Sequence, residues 1–257
     1  MSQTYDNLAD YYDRWIEGDP AAAPCAAFYR RLYMETKGLI VELGVGNGRI
    51  AGPAARDGAE IVGVDTSIAM LHAARTAWAE HTGGRLHLIA SDMRELPLPS
   101  GTVSLVALPF RTIGHFTGNE EKLRVLVEAK RLLGPSGIFV VDHYVFDRDW
   151  ADAHNRRWLK MYVGCDNADG EVGIYDRYDY DFENCMMHVT TRIERRANDD
   201  EDKKIEDTRF DFSWIDPADM KVLIDRAGFE VVDVFGDYGG RAFDGHAEEQ
   251  VWFLRAQ

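Results

Sequence analysis

The sequence predicts an α/β protein with a doubly wound, Rossmann-like sheet of seven strands and an inserted antiparallel β subdomain. Two patterns lead to this prediction. Between residues 38 and 144, short apolar runs alternate with helical stretches, which is typical of parallel strands covered by helices on both faces. Between residues 171 and 214, apolar and polar residues alternate instead, as in antiparallel strands with one face in water.

Each element follows from its local pattern. Apolar runs predict core strands at 38–43, 60–65, 85–92, 103–108 and 137–144, with helices between them, the clearest at 120–133. Alternation predicts inserted strands at 171–182, 186–196 and 205–214, and the acidic run 198–204 is expected at a hairpin tip. Phe210 and Phe212 are assigned to packing, because an aromatic stripe at strand spacing is usually core. Asp216 and Pro217 open a helix that Gly228 ends, and strands at 229–235 and 250–255 follow.

The chain shows no internal repeat and no clear linker, so a single domain over residues 1–257 is expected. Its parts are an N-terminal helical segment, a core, an insertion and a C-terminal part of the sheet, at 1–37, 38–149, 150–214 and 215–257. The first segment is either a lid over a ligand or an ordinary amphipathic cap over the sheet.

Composition excludes several classes of protein. The formal net charge of −15 disfavours nucleic acid and anionic membranes as partners. No apolar segment approaches the roughly 20 residues that span a bilayer, and the polar, acidic N-terminus is no signal peptide. The three cysteines are widely spaced, which indicates neither a disulfide framework nor a zinc site. A reducing cytoplasm is the expected compartment.

The stretch "VELGVGNGRI" places Glu42 and three glycines between a strand and a helix. Glycines there allow a ligand to approach the backbone closely. The spacing is GxGxG, and Arg49 stands where the dinucleotide fingerprint has its third glycine. Glu42 would repel a pyrophosphate and suits a cationic ligand. Asp65, at the end of the second strand, is placed to accept hydrogen bonds from ribose hydroxyls.

Three motifs, "VELGVGNG", "IVGVDTSIAML" and "ASDMREL", in this order and spacing, resemble the class I S-adenosylmethionine (SAM) dependent methyltransferases. The resemblance covers about residues 38–142 and extends more loosely through "LIDRAGFEVVDVFGDY". Within the family, "PFRTIGHF" and the C-terminal "AGFEVVDVFGDYGGRAFD" look like a bacterial small-molecule subgroup, which includes enzymes acting on amino sugars and specialised metabolites. The resemblance implies SAM as cofactor, S-adenosylhomocysteine as product, and a sheet whose last strand is reversed.

The resemblance also implies a cofactor site. Glu42 and the glycines would surround the methionine part of SAM, Asp65 the ribose, and Asp92 with Met93 the adenine. Leu108 and Phe110 would lie near the sulfonium, and Tyr11 or Tyr12 would close over the methionine end. Met70 could equally be helix core. The full predicted set is Tyr11, Glu42, Gly44, Gly46, Asn47, Gly48, Arg49, Asp65, Thr66, Met70, Asp92, Met93, Leu108, Phe110 and Arg111.

Methyl transfer from a sulfonium mainly requires positioning and exclusion of water. A neutral amine needs little further help, whereas a hydroxyl or an aromatic carbon has more need of a general base. His115, His143 and Tyr11 are the catalytic candidates, although His143 could equally be a buried structural histidine. The insertion is expected to cover the acceptor. The predicted acceptor-binding residues are Tyr12, Trp15, His115, Tyr144, Tyr175, Arg177, Trp214, Tyr238 and Arg241.

The expected function is methylation of a small molecule in specialised metabolism, with nitrogen as the expected nucleophile. Three alternatives stay open: O- or C-methylation of an aromatic small molecule, a SAM-using cyclase or non-catalytic SAM-binding module, and a nicotinamide-dependent oxidoreductase. No ligand spacing indicates a metal. The expected partner is the small-molecule acceptor alone, with no nucleic acid or membrane, and the expected state is a monomer or a homodimer.

Overall fold

The structure, a computed structural model, describes residues 2–165, 170–197 and 204–257. The helices are α1 Ser2–Leu8, α2 Tyr12–Ile16, α3 Ala22–Glu35, α4 Ala51–Arg56, α5 Ile68–Trp78, α6 Asn119–Leu132, α7 Arg148–His154 and α8 Pro217–Arg226. Short 3₁₀ helices form at Ala9–Tyr11 and Thr112–His115. The strands are β1 Ile40–Leu43, β2 Ile61–Asp65, β3 Leu86–Ala90, β4 Val103–Leu108, β5 Leu133–Tyr144, β6 Trp158–Cys165, β7 Gly170–Asp181, β8 Met186–Ala197, β9 Lys204–Ser213, β10 Phe229–Phe235 and β11 Glu249–Ala256.

The main sheet has seven strands in the order β10-β11-β5-β4-β1-β2-β3. Strand β11 is antiparallel to β10 and β5, and the pairs from β5 to β3 are parallel. The predicted sheet with a reversed last strand is therefore confirmed. Strand order changes direction between β1 and β4, and in open α/β sheets ligands bind beside the carboxyl ends of the strands at such a switch point.

Both faces of this sheet are covered, as the apolar strands required. On one face lie α3 and α4, where α3 buries Cys25, Phe28, Tyr29 and Tyr33. On the other face lie α6 and α8, whose buried residues recur at helical spacing. Helix α3 is therefore part of the core, and only the preceding segment of the predicted 1–37 lid lies apart from it.

The insertion is a four-stranded antiparallel sheet in the order β6-β7-β8-β9. The inserted β subdomain is confirmed, but strand β6 and helix α7 were not predicted. Strand β6 is an edge strand with no fully buried residue and with a register shift between Lys160 and Tyr162, so its sequence lacks a clear alternation of apolar and polar residues. Helix α7 begins where the Asp147 carboxylate accepts a hydrogen bond from the Trp150 amide at 2.9 Å. Apart from Lys204, the predicted tip at 198–204 lies outside the described residues.

The segment before α3 lies against the inserted sheet. Leu8 packs with Val172, Ile174 and Ile193 in a third hydrophobic cluster. No helix among the described residues is long and apolar enough to cross a membrane. Within the same part of the chain, no group of three or more His, Cys, Asp or Glu side chains is arranged to hold a metal ion.

Candidate active site

Two small cavities of about 80 and 30 Å³ lie at the carboxyl ends of β1, β2 and β4. They share Tyr12, Gly44 and Thr112, and together we call them the glycine-loop cleft. Its full lining is Tyr5, Tyr12, Glu42, Gly44, Val45, Gly46, Asn47, Arg49, Ile50, Asp65, Thr66, Met70, Met93, Pro109, Phe110, Thr112, His115 and Phe116.

The glycines of the cleft are required by its backbone. Gly44 and Gly46 have φ angles of 72° and 54°, in the region that favours glycine. A Cβ on Gly44 would lie 2.6 Å from Thr112 Cγ2, so a side chain here would collide with Thr112 in the wall of the cleft. The Gly46 amide donates to Asp65 Oδ2 at 2.9 Å and the Ser67 amide to Oδ1 at 2.9 Å. These bonds fix the Asp65 carboxylate at the rim of the cleft.

Glu42 is the buried acid of the cleft, with 1% of its surface exposed. Its carboxylate accepts a hydrogen bond from the Tyr33 hydroxyl at 2.7 Å, and burial raises its pKa to about 8. Arg49 lies nearby, with its guanidinium 4.8 Å from the centre of the Phe110 ring and donating to the Ala22 carbonyl at 2.8 Å. The cleft therefore presents an acid suited to an ammonium group and a guanidinium suited to a carboxylate.

Residues 2–16, which we call the N-terminal strap, lie across the cleft. Asp6 accepts hydrogen bonds from Ser67 Oγ at 2.5 Å and from the Ala69 amide at 3.3 Å, at the start of α5. Asn47 of the glycine loop donates to Asp13 at 2.7 Å. The strap is thus tied to both sides of the cleft.

A third cavity of about 150 Å³ adjoins the cleft and shares Tyr5, Tyr12, Thr112, His115 and Phe110 with it. We call it the aromatic cavity. Its lining is Tyr5, Tyr12, Trp15, Ile16, Asp19, Phe110, Arg111, Thr112, His115, Tyr144, Met161, Asp176, Tyr178, Met187, Val189, Phe210 and Phe212. The strap, the main sheet with its loops, and the inserted sheet all contribute residues to this lining. A larger outer vestibule of about 440 Å³ adjoins it, bounded by Trp150, Lys160 and Tyr180 among others.

His115 stands between the cleft and the aromatic cavity. Its Nε2 and the Tyr5 hydroxyl form a hydrogen bond of 2.8 Å. The ring packs edge-on against Phe212, with centroids 4.9 Å apart. Burial lowers the pKa of His115 to about 4. At neutral pH the imidazole is therefore uncharged and a weak base.

The loop after β4 is held by one buried carboxylate. Phe110 and Arg111 have φ angles of 57° and 63°, and both amides donate to Asp142, at 2.9 and 2.7 Å. Asp142 also accepts hydrogen bonds from the hydroxyls of Tyr29 at 2.6 Å and Tyr238 at 3.0 Å. With four donors around it, Asp142 positions the loop and has no contact with the cavities.

Comparison with known proteins finds one family model that matches part of the chain. A family model described as a methyltransferase domain matches residues 40–137, which contain β1 to β4 and the start of β5. This part of the chain therefore matches a methyltransferase domain, which agrees with the resemblance to class I SAM-dependent methyltransferases. SAM is the cofactor of this family, and the acids, glycines and guanidinium of the glycine-loop cleft fit its groups.

Solved structures show the same fold. The CcbJ methyltransferase from Streptomyces caelestis is 24% identical with a TM-score of 0.79, and the match covers 98% of each chain. The sugar N-methyltransferase KedS8 from a Streptoalloteichus species is 16% identical with a TM-score of 0.74, over 96% of this chain and 92% of that one. The Bacillus subtilis protein YqeM, named as a methyltransferase, is 25% identical over 144 residues. That match spans 55% of this chain and about half of YqeM, 53%.

Ten of the fifteen residues predicted to bind SAM line the glycine-loop cleft, and five do not. Tyr11 faces the inserted sheet, where its hydroxyl accepts from Arg195 at 3.2 Å. Asp92 is held by Arg94 through both carboxylate oxygens. Gly48 and Leu108 are buried away from the cleft, because Gly48 lies against Trp78 and Leu108 in the core. Arg111 lines the aromatic cavity instead and pairs there with Asp19 at 2.8 Å and with Glu249.

Among the predicted acceptor residues, Tyr12, Trp15, His115 and Tyr144 line the aromatic cavity. Tyr175 and Arg177 do not line this cavity. Successive strand residues face opposite sides of a sheet, and the neighbouring Asp176 and Tyr178 line the cavity instead.

Three further acceptor candidates and the catalytic candidate His143 do not line the aromatic cavity. Trp214 stacks on Phe146 with centroids 4.0 Å apart, and Tyr238 binds Asp142. Arg241 pairs with Asp237 on the surface. His143 is fully buried, and its ring nitrogens lie 3.1 Å from the Tyr144 and Ser213 carbonyls, outside the cavities. Its structural alternative fits this placement better than the catalytic one.

Several lining residues were not predicted, although the sequence held signs of two of them. Tyr5 precedes Leu8, Tyr12 and Trp15 at spacings of three or four residues, which place all four on one helical face. Asp176 shares its strand face with Val172, Ile174 and Tyr178, so it is an acid on an otherwise apolar and aromatic face. Phe210 and Phe212 pack as predicted but also line the cavity.

Proposed function

We propose that this methyltransferase transfers the methyl group of SAM to a nitrogen atom of a small-molecule acceptor in specialised metabolism. The observation that carries the proposal is the aromatic cavity, which is enclosed by the strap and the inserted sheet and shares a wall with the glycine-loop cleft. The fold shared with a protein named as a sugar N-methyltransferase supports nitrogen as the acceptor atom.

On the cofactor side, each polar group of the cleft has a partner of matching chemistry. When bound, SAM supplies a methyl group already activated by its sulfonium. Glu42 would bind the ammonium of its methionine part, Arg49 the carboxylate, and Asp65 the ribose hydroxyls. Met93 would contact the adenine ring beside Phe116, since both line the larger of the two small cavities.

On the acceptor side, the protein mainly positions the nucleophile and excludes water. Tyr5, Tyr12 and Phe210 close the cavity around an acceptor, which favours a short approach to the donor. His115 offers a neutral ring for a hydrogen bond rather than a strong base, because burial lowers its pKa to about 4. An amine tolerates a weak base better than a hydroxyl or an aromatic carbon does, and this favours nitrogen.

Binding and product analysis test this function. S-adenosylhomocysteine should bind in calorimetry, and Asp65→Ala should weaken it by about tenfold or more, as expected for a lost charged hydrogen-bond acceptor. Asp211→Ala, at an exposed position on β9, is the matched control. Mass spectrometry should find one added methyl group on an amine. Binding of NADH instead, or release of methylthioadenosine from SAM, would favour the oxidoreductase or the cyclase.

The role proposed for His115 has its own test. His115→Asn keeps a polar group near Tyr5, so the affinity for S-adenosylhomocysteine should stay within about threefold while methyl transfer falls by about tenfold or more. His87→Asn, at an exposed position, should change neither. Equal losses of binding and transfer would mean that His115 only braces its loop.

A further inference from the structure

Asp176 on β7 is the buried acid of the aromatic cavity, with 1% of its surface exposed. Its Oδ2 accepts hydrogen bonds from Trp15 Nε1 at 2.9 Å and from the Tyr178 hydroxyl at 3.1 Å. Its Oδ1 accepts one from Thr191 Oγ1 at 2.7 Å. All three donors are neutral, and no ion pair to Asp176 occurs among the described side chains. A carboxylate has about four acceptor sites, so one on Oδ1 is left for a ligand.

The charges around Asp176 favour a cation in the cavity. Arg111 is the guanidinium of the described lining, and it already pairs with Asp19 and Glu249. Within the lining, Asp19 and Asp176 therefore leave one negative charge uncompensated, and His115 is neutral. A buried negative charge without a counter-ion is unfavourable, and a cationic ligand would relieve it.

The neighbouring rings add a second preference for positive charge. Trp15 lies next to Tyr5, Tyr12 and Phe210, with ring centroids 6.4, 5.9 and 6.2 Å away. These rings line the same cavity as Asp176. Aromatic faces attract ammonium groups, most strongly where water is excluded.

We propose that Asp176 and these rings bind the acceptor through its ammonium group, so that the acceptor is an aliphatic amine whose remaining part extends into the outer vestibule. The inference rests on the proposed function. A bound ammonium must lose a proton before it can accept a methyl group. Its N–H electron pair becomes the lone pair as the proton moves to Asp176 Oδ1, and methyl transfer then forms the N–C bond as the C–S bond breaks.

Burial raises the pKa of the Asp176 carboxyl, against the lowering effect of its hydrogen bonds, and this makes it a better proton acceptor than an exposed aspartate. Asp176 was not among the predicted site residues.

The test uses cyclohexylamine, cationic at pH 7.5, and its neutral counterpart cyclohexanol, each titrated into the protein saturated with S-adenosylhomocysteine. The wild type should bind the amine at least about tenfold more tightly than the alcohol, as expected for a charged hydrogen bond in a buried site. Asp176→Asn should abolish this preference. Thr191→Val, which removes one donor but keeps the carboxylate, and Asp207→Asn, at an exposed position on β9, should both retain it.

Equal binding of the two probes to the wild type would overturn the proposal, and so would an undiminished preference in a folded Asp176→Asn variant. The wild-type comparison stands even if that variant does not fold. Failure of S-adenosylhomocysteine itself to bind would instead contradict the proposed function. With S-adenosylhomocysteine bound, a missing amine preference contradicts the ammonium site alone.

Discussion

Glu42 carries an electrostatic cost in the free protein. Burial raises the pKa of its carboxyl from 4.5 to about 8. Between these values the unfolded chain has released the proton that the folded protein still holds, so rising pH favours unfolding. Above pH 8 the whole cost is present. A cationic ligand in the cleft would offset it, so the proposed contact with the ammonium of SAM would make the affinity for SAM depend on this residue.

We therefore expect Glu42→Gln to stabilise the free protein relative to the wild type by ~1–4 kcal/mol more at pH 8 than at pH 5. The substitution keeps an acceptor for the Tyr33 hydroxyl but removes the buried charge. Urea unfolding at the two pH values measures the difference, with Glu171→Gln as an exposed control. A stability difference independent of pH would contradict the raised pKa.

The contrast between Glu42 and Asp176 shows what residue patterns can predict. Glu42 stands in a short motif whose spacing fixes its place beside the glycines, so its position in the cleft follows from local sequence. Asp176 is held in position partly by a hydrogen bond from Trp15, which is 161 positions away in the chain. Strand alternation could assign Asp176 to a face, but only the packing of the strap on the inserted sheet makes that face a cavity.

The 3₁₀ helix Thr112–His115, which follows β4 of the main sheet, packs against β9 of the inserted sheet. Gly114 lies so close to Phe212 on β9 that a Cβ would be 2.3 Å from its Cζ atom. Ser213, the next residue, donates from Oγ to the Gly114 carbonyl at 3.1 Å and to the Phe116 carbonyl at 3.0 Å. These contacts fix the distance between the inserted sheet and the 3₁₀ helix that carries His115.

Gly114→Ala should destabilise the protein by ~1–3 kcal/mol, the usual cost of overpacking a core. It should also reduce methyl transfer more than binding of S-adenosylhomocysteine, because the displaced Phe212 lines the aromatic cavity. Chemical denaturation and activity assays measure the two effects. Gly245→Ala, whose Cβ would meet nothing within 4 Å, is the control. A silent Gly114→Ala would show that the two sheets are not rigidly coupled here.

The strap is held at the start of α5 by Asp6. Asp6→Ala removes the acceptor for Ser67 Oγ and the Ala69 amide, and a lost cap of this kind costs about 1 kcal/mol. We expect S-adenosylhomocysteine to dissociate a few times faster, as measured by surface plasmon resonance. Asp10→Ala, an exposed position between α1 and α2, is the control. An unchanged dissociation rate would show that the strap does not act as a lid.

The elements differ in how far their sequences predict them. Strands β1 and β4, and the stretch 138–141 of β5, are nearly continuous apolar runs because both faces are covered, and their positions follow from the local sequence. Strand β6 is a half-exposed edge, and α7 is a seven-residue helix that starts at a single cap. Their sequences carry weaker patterns, because tertiary contacts contribute more than local sequence to forming these two elements. The predicted lid likewise mixes a core helix, α3, with the strap.

The main sheet and the strap enclose the cleft together, so ligand binding should stabilise these parts of the protein as a unit. A ligand that binds only the folded state adds about 2.7 kcal/mol at a concentration 100 times its Kd. For a chain of this size we expect S-adenosylhomocysteine to raise Tm by roughly 5–10 °C. Differential scanning calorimetry measures the shift, with NADH at the same concentration as the control. No shift, or an equal one with NADH, would contradict a SAM site.

Asp142 joins three otherwise separate parts of the chain: Tyr29 of α3, the loop of Phe110 and Arg111, and Tyr238 near the C-terminus. A change in any one part that removes its donor would leave a buried carboxylate oxygen short of a hydrogen bond and would disturb the other two parts. The inserted sheet supplies none of these four donors, so exchanging its residues should leave this link between the three parts intact.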